Sequence, residues 1–304
     1  MGRGNVSIEA NTTLDREYFE EIWNKFNLDA ESNYVASDIV VHEPPIPGLP
    51  GGIAGPIQIV TTFKQAMPDL RVTIEDLFGE GHLVVDRWTA AGTHTGEPLF
   101  GVAASGRPIQ VSGIHEFRIS SGRIAERWGV VDELGLGQQL GLAPGGSDGP
   151  PPAEPPTPPI APVVLSPEDR LLGHRSHSEW LVGGNPNAVY DLYANDAVIH
   201  SRYIPPDMTR GVEAFKGYAS YLRGAFPDIE IDDEDNIAQG DRVGMRWTMR
   251  GTHDGDFWGM PGTGKRVEVT GMDIFRIADG RIQDAWIETD YMTLLRQIGM
   301  IPSG

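Results

Sequence analysis

Two stretches of this chain set a polar side chain where strand alternation calls for a core residue. Ile109, Val111, Gly113, His115, Phe117 and Ile119 fall on one face of an expected strand, and so do Val267, Val269, Gly271, Asp273, Phe275 and Ile277. A polar group among core positions costs free energy unless it is paired or borders a cavity, so His115 and Asp273 mark a pocket wall in each stretch. The next strand supplies a second wall. Simple alternation groups Ile124, Glu126, Trp128, Val130 and Asp132, and likewise Ile282, Asp284, Trp286, Glu288 and Asp290. A carboxylate beside indole in an apolar pocket is expected to be hard to ionise, which suits a general acid/base near neutral pH. Asp132 with His115, and Asp290 with Asp273 or Glu288, are therefore the candidate proton-transfer groups. A structural role stands beside this one: Asp132 and Asp290 immediately precede ELGLGQQLG and YMTLLRQIG, where each suits a helix N-cap.

Other polar residues border the same region. His42 and His200 end short apolar strands, VVHEPP and VIHSRY, and are expected at the pocket edge. Glu43 follows His42 in the first stretch only, since Ser201 takes its place in the second. Trp88 and Trp247, with Trp128 and Trp286, are assigned to substrate binding. His94 and His253 lie in GTHTG and GTHDG, where a turn-stabilising role is expected. No spacing of the HExxH kind suggests a metal site, GGIAG at 51–55 lacks the lysine of a phosphate loop, and no G-x-S-x-G nucleophile elbow occurs. GGIAG reads instead as a flexible flap before a helix. The chain has no cysteine, which removes thiolate nucleophiles, disulfides and cysteine-ligated metals together.

The elements that must position these residues occur twice. At an offset of 158–159, Val41-His42 answers Ile199-His200, Met67-Pro68-Asp69-Leu70 answers Phe226-Pro227-Asp228-Ile229, and Arg87-Trp88 answers Arg246-Trp247. SGRPIQVSGIHEFRISSGRIAERWGVVD at 105–132 answers TGKRVEVTGMDIFRIADGRIQDAWIETD at 263–290. Between the copies, Pro144 to Pro162 carries nine prolines in nineteen residues. Such a segment can join neither a helix ladder nor a sheet, so it is expected to be an extended tether. The reading is thus two domains, 12–143 and 168–302, joined by a linker at 144–167.

In the first copy Phe19, Ile22, Trp23 and Phe26 make an amphipathic stripe, and Ile59, Phe63, Ala66 and Met67 mark a later helix ended by Pro68. Phe215, Ala219, Leu222 and Phe226 repeat the later one, and Asn185-Pro186-Asn187 caps a short helix in AVYDLYAND. Strands follow at Arg71–Phe78, Leu83–Thr93, Pro108–Ile119 and Arg123–Asp132, separated by glycine-bearing turns. Helices first and hairpins after predict an α+β architecture, with N-terminal helices packed on a curved antiparallel sheet around a cone-shaped pocket.

Composition narrows the ligand. A net charge of −19 opposes nucleic acid and anionic membrane surfaces, and a small, hydrophobic molecule fits better. The apolar runs are too short to cross a bilayer, and the N-terminus has neither the basic nor the apolar region of a secretory signal, so the chain is read as cytoplasmic.

Taken in order, G-T-H-x-G, a T/S-G-[RK] turn, G-x-[HD]-x-F-R-I, D/S-G-R-I, W-x-x-x-D and L-x-x-Q-[LI]-G resemble the SnoaL-like polyketide cyclases of the NTF2-like superfold, over most of both copies. The resemblance implies an intramolecular aldol ring closure on a polyketide, with an aspartate as general acid/base and with no cofactor or metal. Carried over, the aspartate is Asp132 or Asp290, partnered by His115 or Asp273. It also implies that the two domains pair as a pseudo-dimer within the chain. Two alternatives are an epoxide-opening enzyme of the same superfold, using Asp256 and Glu288, and a non-catalytic binder of a hydrophobic metabolite.

Overall fold

The computed structural model describes residues 7–42, 45–46, 48–145 and 156–302. Glu43 and residues 146–155 of the proline-rich stretch lie outside them. Two compact units divide at Pro158/Pro159, and each holds one five-stranded sheet.

In the first unit Ser7 caps α1 (Ile8–Tyr18) by accepting from the Ala10 amide at 3.1 Å, and the helix runs on as a π-helical turn, Phe19–Asn24. There the hydrogen bonds widen, with the Lys25 amide reaching Glu20 O at 3.0 Å. Phe19 and Ile22 are buried as expected, but Phe26 is 39% exposed with φ at 56°. It lies past the end of the helix, in left-handed backbone, so it leaves the predicted stripe. Next come α2 (Glu31–Tyr34), β1 (Val35–Val41) and α3 (Ala54–Ala66), whose Ile59, Phe63 and Ala66 are buried with Met67 just beyond. The GGIAG segment is pinned rather than free: the Ile53 amide donates to Ser37 O at 3.1 Å.

Four strands complete the sheet, β2 (Arg71–Glu80), β3 (Leu83–Thr93), β4 (Pro108–Ser120) and β5 (Arg123–Val131), followed by α4 (Glu133–Leu140). The order is β1-β5-β4-β3-β2. Only β2 to β5 are antiparallel, because β1 reaches the free edge of β5 after the helices and pairs with it in parallel. The sheet is therefore mixed.

The second unit repeats this plan. Its elements are α5 (Pro167–Arg170), α6 (Leu172–Arg175), a π-helical turn at Ser176–Val182, α7 (Val189–Leu192), β6 (Tyr193–His200), α8 (Val212–Ala225), β7 (Glu230–Gln239), β8 (Arg242–His253), β9 (Lys265–Ala278), β10 (Arg281–Thr289) and α9 (Tyr291–Ile298). The helix expected in AVYDLYAND stops at Leu192, and Tyr193 onward is strand.

One irregularity reorders the side chains. In the β4–β5 ladder Ile119 pairs with Ile124, but Arg118 pairs with Glu126, so Ala125 is an extra residue. The bulge turns the rest of β5 over, and Arg127, Gly129 and Val131 come to oppose Phe117, His115 and Gly113. Gln283 does the same in β10, bringing Ala285, Ile287 and Thr289 opposite Phe275, Asp273 and Gly271. The face inferred by unbroken alternation is thus reversed beyond each bulge.

Candidate active sites

In each unit the helices and the inner face of the sheet enclose an apolar cavity. A Cβ on Gly113 would stand 2.6 Å from the Trp88 ring, and one on Gly271 would stand 2.0 Å from the Trp247 ring. Glycine at these positions lets an indole lie flat on the sheet, and both tryptophans line the cavities.

The second cavity holds the richer polar set. His177 stands on the π-helical turn, Asp233 on β7 and Asp273 on β9. His177 Nδ1 lies 2.6 Å from Asp233 Oδ1 and Nε2 lies 3.0 Å from Asp273 Oδ2. His174 Nδ1 meets the other Asp233 oxygen at 2.6 Å. Burial works against a charge on His177, but the hydrogen bonds to the two aspartates outweigh it and raise its pKa to about 9. Asp273 is 2% exposed, and its second oxygen, Oδ1, has no hydrogen-bond partner among the described residues. Burial also raises Tyr218 well above the ordinary phenol range and Tyr291 to about 12, and these two side chains hydrogen-bond each other in the cavity wall. They remain protonated donors at any physiological pH.

The first cavity is lined by Phe19, Trp23, Phe63 and Trp88 among other apolar groups, with His115 and Arg127 as its polar residues. Arg127 Nη2 lies 2.8 Å from His115 Nε2. A guanidinium can only donate, so Nε2 accepts and the ring proton sits on Nδ1. Nδ1 faces Asp86 Oδ1 at 3.3 Å, within ion-pair distance but not aligned for a hydrogen bond. Burial, reinforced by Arg127, keeps His115 neutral by pushing its pKa well below the usual range. Behind it, burial raises Asp86 well above the carboxylate range, with Asp15 adding to the effect, and raises Asp15 itself to about 8.

The remaining candidates occupy other places. Asp132 Oδ1 accepts from the Gly135 amide and Asp290 Oδ1 from the Thr293 amide, each at 2.8 Å, so both cap the helix that follows. Trp128 stacks on His42 at 4.5 Å and Trp286 on His200 at 4.8 Å. His42 pairs with Glu126 at 3.1 Å, and His200 with Asp284 at 2.9 Å. These clusters, and Glu288 with them, sit on the sheet face opposite His115 and Asp273, because the bulges turned that half of each strand outward. The assignment of Trp128, Trp286, His42, His200 and Glu288 to the pocket is corrected accordingly; Glu43 lies outside the described residues. His94 and His253 brace their turns, the latter through Thr263 Oγ1 at 3.1 Å. Asp256 caps an exposed turn through the Gly259 amide at 3.1 Å, and neither it nor Glu288 lines the second cavity.

Strand alternation missed His177, Asp233, Asp15, Asp86 and Arg127. A signal was present in the repeat: positions 19/177 and 115/273 change together, from Phe and His to His and Asp, while 86/245 and 127/285 change from Asp and Arg to Met and Ala.

The model of the SnoaL-like polyketide cyclase family matches residues 13–140 and 174–298. The chain belongs to this family. Its two units are tandem NTF2-like domains of the SnoaL-like type. Among relatives, the aklanonic acid methyl ester cyclase DnrD of Streptomyces peucetius is 34% identical over 111 residues, covering 33% of this chain and 74% of that protein. The nogalonic acid methyl ester cyclase of Streptomyces nogalater is 30% identical over 110 residues, covering 34% of this chain and 82% of its own. Among solved structures, TsrD from Streptomyces laurentii is 29% identical with a TM-score of 0.41, covering 45% of this chain and 98% of that one. Family membership points to a small-molecule substrate, and among the described residues no helix is long and apolar enough to cross a membrane.

Proposed function

We propose that the chain closes a ring in a hydrophobic polyketide by an intramolecular aldol reaction, without a cofactor, and that the second unit does so with Asp273 as general base. The observation that carries this reading is the asymmetry of one carboxylate: Oδ2 is held by His177 while Oδ1 is buried without a hydrogen-bond partner among the described residues. Oδ1 removes a proton from the carbon between two carbonyls, and the resulting enolate carbon attacks a ketone carbon of the same molecule. The new alkoxide takes up the proton that Asp273 holds, so atoms and charge balance and nothing is consumed. Tyr291, whose hydroxyl oxygen accepts from Tyr218, donates a hydrogen bond to the enolate oxygen as its charge develops. The charged His177 steadies the carboxylate against the apolar surroundings.

The test is turnover of aklanonic acid methyl ester, the substrate type named for one relative, by the full chain and by Asp273→Asn. The variant is expected to lose roughly 10²–10⁴-fold in kcat, as for removal of a general base, with its circular dichroism unchanged. Retained turnover in a folded variant would overturn the assignment.

A further inference from the structure

In the second unit the hydrogen bonds do not end at His177 but run on to the surface. His174 Nδ1 meets Asp233 Oδ2 at 2.6 Å, Asp233 Oδ1 meets His177 Nδ1 at 2.6 Å, and His177 Nε2 meets Asp273 Oδ2 at 3.0 Å. Side-chain exposure falls along this chain, from 53% at His174 to 11% at Asp233, 5% at His177 and 2% at Asp273. Sequence spacing builds it. His174 and His177 lie three residues apart where α6 passes into the π-helical turn, so both rings reach the same carboxylate. That carboxylate is carried opposite Trp247 of β8, and the place opposite Trp88 in the first unit is Ile74. The first unit has Arg16, Phe19, Ile74 and His115 where the second has the four members of the chain.

A buried histidine beside a single acid has two states. The shared proton lies on the ring, giving an ion pair, or on the carboxyl, giving a neutral pair, and an apolar cavity favours the second. A neutral pair would leave Asp273 carrying the proton that a base must not hold. Asp233 changes this balance, because its negative charge lies against the far side of the same ring and stabilises only the charged imidazole. His115 shows the opposite case, with a guanidinium at one nitrogen and a ring kept neutral. The other groups facing the chain leave this balance in place: Glu179 faces His174 and is paired with Arg175, while Tyr193 and Tyr218 face Asp273 and burial keeps both phenols protonated. Asp233 does not line the cavity, so it acts on a substrate only through His177.

Given Asp273 as the general base, on which this role rests, we infer that Asp233 is a positioning residue for it: acting through His177, Asp233 holds the shared proton on the imidazole and leaves Asp273 free to accept one. His174 fixes Asp233 from the surface side.

The experiment compares the full chain with Asp233→Asn, which keeps the shape and removes the charge. Without substrate, the ring nitrogen resonances of isotope-labelled histidine, assigned by means of His177→Asn, report the charge on His177. Wild type is expected to show a cationic ring at pH 7.5, and Asp233→Asn a titration midpoint lower by at least about one pH unit. With aklanonic acid methyl ester, the acid limb of kcat against pH is expected to move upward by about one unit in Asp233→Asn, since the proton then settles on Asp273. On that limb kcat falls about tenfold, with KM within about twofold of wild type. Asp233→Glu, which restores the charge, should recover part of each effect. An unmoved His177 midpoint in Asp233→Asn would overturn the inference, and so would a loss of kcat with an unmoved acid limb, the mark of a merely structural role. The two assignments fail separately. Full turnover in Asp273→Asn removes the base, whereas loss of turnover there with an unmoved midpoint and limb in Asp233→Asn removes only the role of Asp233. Should Asp233→Asn fail to fold, wild type decides: a neutral His177 ring at pH 7.5 overturns the inference, and a cationic ring whose Nδ1–H is the more strongly hydrogen-bonded supports it.

Discussion

His177 Nε2 lies 3.0 Å from Asp273 Oδ2, while its opposite ring nitrogen lies 2.6 Å from Asp233 Oδ1, so one imidazole joins β9 to β7 across the intervening β8. The bond to Asp273 fixes the carboxylate's rotation and leaves Oδ1 buried without a hydrogen-bond partner among the described residues. A side chain on a π-helical turn thereby sets the geometry of a side chain on a strand.

The pH dependence of stability follows from that bridge. His177 has a folded pKa of about 9, above its ordinary 6.5. Its stabilisation is therefore complete below about pH 6.5 and is lost as pH rises through 9. Against His177→Asn, the advantage of wild type in denaturant melts should shrink by about 3 kcal/mol between pH 6 and pH 10, taking ~1.4 kcal/mol per pKa unit. A pH-independent difference would show that the histidine is not charged in the fold.

The first unit should lose stability in the same direction at Asp15, but over a lower pH range and with a substitution that stabilises. Its folded pKa of about 8 exceeds the ordinary 3.8, so the folded state holds a proton that the unfolded chain releases, and stability declines as pH rises from about 4 to 8. Asp15→Asn removes that penalty. It should be neutral near pH 4 and stabilise by roughly 2–5 kcal/mol at pH 8, measured by urea melts. Destabilisation at pH 8 would contradict the assignment.

Asp132→Ala and Asp290→Ala remove N-caps and should each cost about 1 kcal/mol of stability. Turnover of the folded variants should stay within about twofold of wild type, a ratio worth only ~0.4 kcal/mol. Loss of activity with the fold intact would assign these carboxylates to the chemistry instead.

Gly271→Ala places a methyl group 2.0 Å from the Trp247 ring. The indole must move, at a cost of about 1–3 kcal/mol, and its fluorescence should change with it. Gly113→Ala meets Trp88 at 2.6 Å and should disturb it less.

Much of this was legible in residue types. The strand bearing His115 and the strand bearing Asp273 run unbroken through the cavity wall, so period-two alternation located both side chains. The sites for Asp132 and Asp290 as caps followed from the apolar segments after them. What alternation missed has physical causes. Neither Ala125 nor Gln283 carries the glycine or proline that often marks a bulge, so nothing in the sequence announced that the strand changes face. A period of 3.6 residues assigned Phe26 to a helical stripe, whereas the π-helical turn reset the count and put His177 in a cavity. Unbroken alternation leaves Arg127 off the pocket face, because nothing in the sequence marks the bulge that turns it inward.

Each extra residue in β5 and β10 acts on side chains as a frameshift acts on codons. Without Ala125, the downstream strand would present Glu126, Trp128 and Val130 to the cavity and turn Arg127 to the outer face; without Gln283, Asp284, Trp286 and Glu288 would point inward. A single-residue deletion at either position is thus a larger change of chemistry than any point substitution in the lining. The two copies have kept the same frame while exchanging nearly every polar residue read within it.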